Sequence, residues 1–393
     1  MSEKPYQIVR QEVEQLEEEI KDHRKKLIRR AVVAVILVLL VFGILYLLYE
    51  LRGYDDYKIL ENYERKDSFG TSFLSFNGNI IKYGNDGIFY IDEKNQQLWN
   101  QTYEMQSPMI ASCEEYLAVA DEKGERVYIM NVSGPCGEIE TSHPIYRIDV
   151  ASQGTVAVLM EEGETGYLQI YDKEGNYLAG GEFHARNTGY PMDLAISNDG
   201  KKLALLLFEV KDGAICSTVS FYNFGSVGQN EIDNKVSSYS YEERVMGSVA
   251  FLTNDIAVAA GDSGIVLYEG KQKPEEKKDI TVSDEIESIF WNESYVGVVL
   301  GAQDEDNAYQ IDLYTIHGSK VRTIDFSMKY EEISFLDNNE ICIHNSRECL
   351  IYTVHGIERF CGTFEKDLCS VIRLGARRYL FLVDGETQEV KLK

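Results

Sequence analysis

The residues best suited to metal binding or thiol chemistry are dispersed along this 393-residue chain. Zinc sites need thiolates or imidazoles in close groups, and no Cys-x-x-Cys pair occurs, so the sequence predicts no such site. Four of the seven cysteines fall between Cys342 and Cys369. That spacing is compatible with one local disulfide, although a buried free thiol acting as a small apolar side chain is the simpler expectation. The cysteines are Cys113, Cys136, Cys216, Cys342, Cys349, Cys361 and Cys369, and the histidines are His23, His143, His184, His317, His344 and His355.

Carboxylates are abundant, but none stands in a recognised catalytic or metal-binding pattern. Pairs such as Glu161/Glu162 are expected from composition alone, and a hydrolytic pair also needs a defined separation across a cleft. The run Asp304 to Asn307 lacks the spaced ligands and final glutamate of a calcium loop, so it is interpreted as a solvated acidic turn. Nucleophile elbows and glycine-rich phosphate loops do not occur. We predict no catalytic, cofactor-binding or metal-binding residue.

The charge of the chain excludes one class of partner. The formal net charge is −26, and the residues after position 30 hold 31 basic and 58 acidic side chains. A domain this acidic repels phosphate backbones, so we expect no nucleic-acid partner. Solubility is a sufficient reason for the acidity.

The elements that would have to position any site are β-strands. After Gly53, short runs of Val, Ile, Tyr and Phe alternate with Gly, Asn and Asp clusters, which is typical of an all-β fold. One apolar strand motif recurs at spacings of 37 to 53 residues, and further strands surround each copy. A period near 40 residues with four strands per unit predicts an eight-bladed β-propeller, or a seven-bladed one if one motif is misread. The eight copies start at Asn79, Tyr116, Thr155, Lys202, Asp255, Tyr295, Glu340 and Tyr379.

The last unit ends one strand short, at residues 388–392. The segment Tyr57–Glu64 has strand character and belongs to no other unit. We expect this segment to complete the last blade, because a closed ring leaves no open ladder there. The longest insertions, Glu209 to Ala214 and Phe224 to Glu243, lie in the fourth unit. Long loops on a rigid scaffold often carry recognition, although tolerated surface variation is the ordinary explanation.

Two segments resemble known propeller repeats. Ile196-Ser197-Asn198-Asp199-Gly200-Lys201-Lys202-Leu203-Ala204 is similar to the strand-turn-strand signature of WD40-like propellers. Tyr83 to Asp92, followed by Leu98-Trp99, looks like a quinoprotein-type repeat, but the other units have drifted and no cofactor is implied. In its layout, the chain resembles single-pass membrane proteins of unknown function from clostridial bacteria, which carry an extracytoplasmic propeller.

The layout depends on the uncharged stretch Ala31 to Leu48, which is long enough to cross a bilayer as a helix. Tyr46 and Tyr49 are suited to the headgroup level, and a basic cluster precedes the stretch. The positive-inside rule places the N-terminus in the cytoplasm. The predicted domains are a cytoplasmic segment 1–30, a signal-anchor helix 31–51, a linker 52–56 and an extracellular propeller 57–393. A cleaved signal peptide or a buried core helix are the alternatives, and the long apolar run with its charged flank disfavours both.

The cytoplasmic segment contains an apolar stripe. Val9, Val13, Leu16, Ile20, His23 and Leu27 recur at steps of four and three, which is compatible with a short coiled-coil homodimer through 8–27. A solvated or membrane-hugging helix continuous with the span is the alternative, because so short a seam is marginal alone.

Together these features predict a non-catalytic binding or scaffolding propeller, anchored in the lipid bilayer through 31–51. Its expected partner is a protein or cell-envelope component on a propeller face. An extracytoplasmic enzyme with carboxylates or tyrosines in the central channel is the main alternative, since fold alone does not decide function. A sensor that signals through pairing of the cytoplasmic helices is the third interpretation.

Overall fold

The computed structural model describes residues 23–44, 52–68, 70–211, 213–301 and 308–393. The chain divides after Gly53 into two compact units. In the first, helix α1 (His23–Ile44) has 22 residues, and its apolar side chains are exposed. At about 1.5 Å per residue it is about 33 Å long, so it could span a membrane. Residues 1–22 and 45–51, which include most of the apolar stripe, Tyr46 and Tyr49, lie outside the described residues.

The second unit is an all-β propeller with eight blades, which confirms the predicted fold and rules out seven blades. Each blade is a four-stranded antiparallel sheet, whose strands we name A to D from the ring centre outwards. Blade 1 consists of β2 (Ser72–Phe76), β3 (Asn79–Gly84), β4 (Gly87–Ile91) and β5 (Gln97–Thr102), and blade 2 of β6 (Pro108–Cys113), β7 (Tyr116–Asp121), β8 (Arg126–Asn131) and β9 (Gly134–Glu140). Blade 3 consists of β10 (Ile145–Val150), β11 (Val156–Glu162), β12 (Thr165–Tyr171) and β13 (Tyr177–His184), and blade 4 of β14 (Tyr190–Ile196), β15 (Lys202–Lys211), β16 (Ala214–Asn223) and β17 (Lys235–Glu242).

Blades 5 to 8 continue the same order around the ring. Blade 5 consists of β18 (Met246–Phe251), β19 (Ile256–Gly261), β20 (Gly264–Glu269) and β21 (Glu275–Thr281), and blade 6 of β22 (Ile286–Trp291), β23 (Tyr295–Gly301), β24 (Tyr309–Thr315) and β25 (Lys320–Phe326). Blade 7 consists of β26 (Glu332–Phe335), β27 (Ile341–His344), β28 (Glu348–Tyr352) and β29 (Glu358–Thr363), and blade 8 of β30 (Leu368–Gly375), β31 (Arg378–Val383), β32 (Glu386–Leu392) and β1 (Tyr57–Glu64). A single helical turn, α2 (Ala185–Thr188), joins blades 3 and 4, and two 3-10 turns (Gly228–Asn230 and Ile232–Asn234) precede β17.

The recurring apolar motif of the sequence forms strand B of every blade. In β7, Leu117, Ala118, Val119 and Ala120 have no exposed surface, and β11 and β19 are buried in the same way. These strands are apolar on both sides because a neighbouring blade covers each face of the sheet. The core is therefore a series of apolar layers between successive blades.

The last blade combines the two ends of the propeller unit. Strand β1 pairs antiparallel with β32, from Tyr57 opposite Leu392 to Glu64 opposite Glu386. This is the edge at which the sequence analysis expected Tyr57–Glu64 to pair. Tyr54, within the segment 52–56 interpreted as a linker, is 3% exposed and forms a parallel bridge with Phe360 of blade 7. Ring contacts therefore begin before β1.

A buried arginine stabilises the last blade, in which β1 pairs with β32. Arg65 follows β1 directly, and its guanidinium donates to the Asp67 carboxylate at 2.8 Å and to the Thr387 hydroxyl at 2.7 Å. It also donates to the Val383 carbonyl at 2.9 Å. Thr387 in turn donates to Asn95 of blade 1 at 2.8 Å. Side-chain hydrogen bonds thus join blade 8 to blade 1 beside the strand pairing.

Antiparallel blades give the ring two distinct faces. We call the face that carries the B–C turns and the D–A links between blades the connector face, and the other the turn face. In blade 4 the B–C hairpin of β15 and β16 is lengthened, as the insertion Glu209 to Ala214 suggested. The second insertion, Phe224 to Glu243, is only partly a loop: Lys235–Glu242 forms strand D, because its alternating polar residues suit an outer edge.

Candidate binding site

A cavity of about 960 Å³ lies on the connector face between blades 1 and 2. Its walls come from the β3–β4 turn, the link between β5 and β6, and the β7–β8 turn. Backbone hydrogen bonds hold the link against the first turn: the amide of Tyr103 donates to the Asp86 carbonyl at 3.3 Å, and that of Met105 to the Asn85 carbonyl at 2.9 Å. The cavity is therefore built from segments that are fixed to each other.

The Asp121 carboxylate fixes the other side of the link. One of its oxygens accepts hydrogen bonds from the backbone amides of Gln106 at 3.0 Å and Ser107 at 2.7 Å. Gly124 continues this wall, and a β-carbon added there would lie 2.8 Å from the Asp121 side chain, so the turn requires glycine. Both walls of the cavity are thus fixed by local geometry.

Two tyrosines give the cavity its aromatic wall. The rings of Tyr103 and Tyr128 are stacked, with centroids 5.9 Å apart and planes 19° from parallel. Tyr103 is 8% exposed, and its hydroxyl has no hydrogen-bond partner among the residues that the structure describes. Burial raises the pKa of the Tyr103 phenol, so the phenol stays neutral.

The charge around these rings is predominantly negative. Asp86, Glu104, Asp121 and Glu125 all line the cavity, and Arg126 is the one basic side chain among its lining residues. Arg126 is itself 3.9 Å from the carboxylates of two glutamates on β9. Carboxylates beside aromatic faces are suited to ammonium and guanidinium groups, because both the charges and the ring faces attract cations. The cavity is chemically suited to binding cations.

The inner strands carry two carboxylates with raised pKa values, which bear on the enzyme alternative. Burial raises the pKa of Asp149 to about 7 and that of Asp193 to about 6. Asp149 accepts a hydrogen bond from the Ile196 amide at 2.8 Å, and Asp193 accepts one from the Val249 amide at 2.9 Å. Each carboxylate on the A strand of one blade therefore joins that strand to the A strand of the next.

A smaller cavity of about 530 Å³ lies on the turn face between blades 4 and 5. Its lysine, Lys202, is almost fully buried, and the ammonium donates to the Asp255 carboxylate at 3.2 Å and to the Lys271 carbonyl at 2.9 Å. Asn223 donates to the Gln272 carbonyl at 2.7 Å. These polar side chains hold the C–D turn of blade 5 against blade 4, so we assign them to assembly of the ring.

The sequence predicts no site residue, and the cavity residues stand in no recognised motif. Within the described ranges, no group of three or more His, Cys, Asp or Glu side chains is arranged to hold a metal ion. The acidic run Asp304 to Asn307 lies outside those ranges. The cavity residues come from three separate segments of two blades, so no single motif in the sequence signals them. Asp121 next to a B–C turn is the one local hint.

Comparison with known proteins places the chain among propellers. A family model described as a family of unknown function, DUF5711, matches residues 50–392. A search of curated proteins finds no match. BamB from Moraxella catarrhalis aligns over 86% of this chain and 100% of its own, with a TM-score of 0.50 and 9% identity. Sqt1 from Saccharomyces cerevisiae aligns over 87% and 100% (TM-score 0.54, 13% identity), and Sqt1 from Chaetomium thermophilum over 86% and 98% (TM-score 0.55, 13% identity). At these identities the likeness is one of fold alone.

Proposed function

The chain belongs to DUF5711, a family of unknown function, and we propose that it is a membrane-anchored propeller that binds a protein partner through that partner's basic residues. The proposal makes the ring a binding or scaffolding module without catalysis. The observation that carries it is the acidic, tyrosine-lined cavity on the connector face.

The spread of the carboxylates favours an extended basic segment over a single small cation. Asp86, Glu104, Asp121 and Glu125 belong to three chain segments around a cavity of about 960 Å³. Several lysine or arginine side chains of one peptide would meet separate carboxylates, and one of them would lie against the tyrosine rings. Such a site also speeds encounter with basic partners, because the domain as a whole is acidic.

The state of Asp149 and Asp193 supports binding over catalysis. A general acid or base must be free to exchange a proton with a substrate. Each of these carboxylates is instead engaged by a backbone amide of the following blade. Burial within the ring is enough to raise the pKa values of Asp149 and Asp193, so a catalytic role is not needed to explain them.

The membrane part of the proposal keeps the topology expected from the sequence. Residues 1–30 would be cytoplasmic, 31–51 would span the bilayer, and the ring would lie outside the cytoplasm. Helix α1 supports this, because its apolar side chains are left exposed by the protein over a length that fits a bilayer. The basic residues that precede Ala31 support the orientation.

Site-specific photo-cross-linking in cells tests the partner. The photoreactive residue p-benzoylphenylalanine would replace Glu104, an exposed residue of the cavity, in the full-length chain. The matched control places it at Glu115, which is exposed on the turn face of blade 2. We expect a protein adduct from position 104 and none of the same mass from position 115.

The adduct must also depend on charge. In the cross-linking protein, Asp86→Asn together with Glu125→Gln should reduce the adduct several-fold, because two of the attracting carboxylates are lost. Equal adducts from both positions, or an adduct indifferent to the two substitutions, would remove the cavity as the binding site.

A further inference from the structure

Two cysteine side chains of blade 7 lie next to each other in the core shared by blades 7 and 8. Cys342 on β27 is 1% exposed and Cys349 on β28 is fully buried. Their sulfur atoms are 3.8 Å apart. A sulfur–sulfur bond is about 2.05 Å long, so bonding requires the two sulfurs to approach by about 1.8 Å. Both side chains pack within one apolar cluster that includes Phe360 and Phe381.

The strand register explains this proximity. Cys342 is paired with Ile351 and Cys349 with His344, so the two cysteines are diagonal neighbours on adjacent strands. Side chains alternate between the faces of a strand, which places Cys342 and Cys349 on the same face of the sheet. Cys361 on β29 is opposite Leu350, so it belongs to the other face. The hairpin therefore selects one partner for each buried thiol.

We propose that Cys342 and Cys349 form a disulfide bond when the ring folds in an oxidising compartment. The inference rests on the outer location of the ring in the proposed function and is independent of the acidic cavity. Oxidising compartments are where structural disulfides form and persist.

The oxidant is an external disulfide, either a small molecule such as glutathione disulfide or the disulfide of a thiol oxidase. The thiolate of one cysteine attacks a sulfur of this disulfide, forms a mixed disulfide and releases the first external thiolate. The thiolate of the second cysteine then attacks the cysteine sulfur of the mixed disulfide and releases the second external thiolate. The two cysteines lose two electrons, the external disulfide gains them, and the two cysteine protons end on the released thiols.

Burial during folding determines at which stage this thiol–disulfide exchange takes place. The hydrogen bond with Cys349, followed by burial, raises the pKa of the Cys342 thiol well above its usual value. The reactive thiolate is therefore rare in the folded ring. We expect oxidation before blade 8 covers the hairpin, and a bond that external reductants reach slowly afterwards.

The bond would strengthen a specific junction of the ring. The turn between β27 and β28 contains Arg347, whose carbonyl accepts from the Phe364 amide at 2.8 Å and whose guanidinium is 2.7 Å from the Asp367 carboxylate. Phe364 and Asp367 belong to the link from blade 7 to blade 8. A cross-linked hairpin would hold this link in place during closure of the ring.

Differential thiol labelling of the full-length protein tests the inference. Cells are denatured in the presence of light N-ethylmaleimide, which blocks every free thiol, and the protein is then reduced and treated with the heavy reagent. Cys342 and Cys349 should carry at least ten times more heavy than light label. Without reduction, trypsin should release residues 330–347 joined to residues 348–359, 2 Da lighter than the two free peptides together. The joined peptide should be absent from the Cys342→Ala and Cys349→Ala variants.

A second sample separates pairing from location. Purified full-length protein is denatured, reduced and refolded in detergent with a glutathione redox buffer, then digested in the same way. The joined peptide in both samples supports the inference. The joined peptide after refolding, with light label at both positions in cells, supports the pairing and counts against the outer location. Free thiols at both positions in both samples, or a bond from Cys342 to another cysteine, would overturn it.

Discussion

Substitution of Tyr57 measures how much the first strand contributes to ring closure. The Tyr57 ring lies 5.1 Å from Phe381, 5.8 Å from Phe364 and 6.1 Å from Phe360, measured between centroids. Aromatic pairs contribute about 0.5–1.5 kcal/mol each beyond burial, and loss of a buried aromatic ring costs about 3–5 kcal/mol. Because Tyr57 is half-buried, we expect Tyr57→Ala to lower the free energy of unfolding by about 2–4 kcal/mol.

Tyr63→Ala provides the matched control, since Tyr63 is half-buried on the same strand and none of the ring pairs described for Tyr57 involves it. Its expected cost is lower than that of Tyr57→Ala by at least about 1 kcal/mol, because none of these aromatic pairs is lost with it. Urea denaturation of residues 53–393, followed by far-ultraviolet circular dichroism, gives both values. Equal costs for Tyr57→Ala and Tyr63→Ala would refute the reasoning that the Tyr57 cluster stabilises the closure.

Removal of the whole strand extends the same test. A chain that begins at Arg65 leaves the edge of β32 unpaired, and we expect it to aggregate or to unfold without cooperativity. Light scattering and the steepness of the urea transition report on this. If that chain is as stable and monomeric as one that begins at Gly53, β1 is dispensable for the ring.

Two further predictions concern topology and pH. Protease added to intact cells should digest residues after Gly53 and spare those before Ala31, and protection of the ring until lysis would reverse the proposed orientation. The raised pKa of Asp149 means that the folded ring binds a proton at this carboxylate more tightly than the unfolded chain does, so the contribution of Asp149 to stability should fall as pH rises from about 4 to about 7, by at most roughly 4 kcal/mol. Asp149→Asn should reduce the change of the melting temperature with pH. The same change with pH in both proteins would show that Asp149 is not the group responsible.

The fold was predictable because propeller blades repeat a local pattern. The apolar strand B and the turn residues after it recur in every unit, and Tyr57–Glu64 was the one strand left without a unit. The insertion Phe224 to Glu243 was less clear, because the alternating polar residues of β17 resemble a loop as much as an edge strand.

The candidate site and the assembly contacts were not predictable in this way. Asp193 and Val249 are brought together only by the juxtaposition of neighbouring blades. The same holds for the Tyr103 and Tyr128 rings, and for Arg65 with Thr387 at opposite ends of the ring sequence. Their spacing in the sequence follows no motif, since each contact depends on the register and curvature of the closed ring.

Titration of the ring with a basic peptide tests the central claim most directly. Calorimetry would compare hexa-arginine binding to residues 53–393 with binding to two variants of equal charge, Glu104→Gln/Glu125→Gln in the cavity and Glu114→Gln/Glu115→Gln on the turn face. We predict that the cavity variant binds about tenfold more weakly, about 1.4 kcal/mol, and the turn-face variant within about twofold of the unaltered ring. Equal weakening of both variants would show general attraction to an acidic surface and contradict a specific site on the connector face.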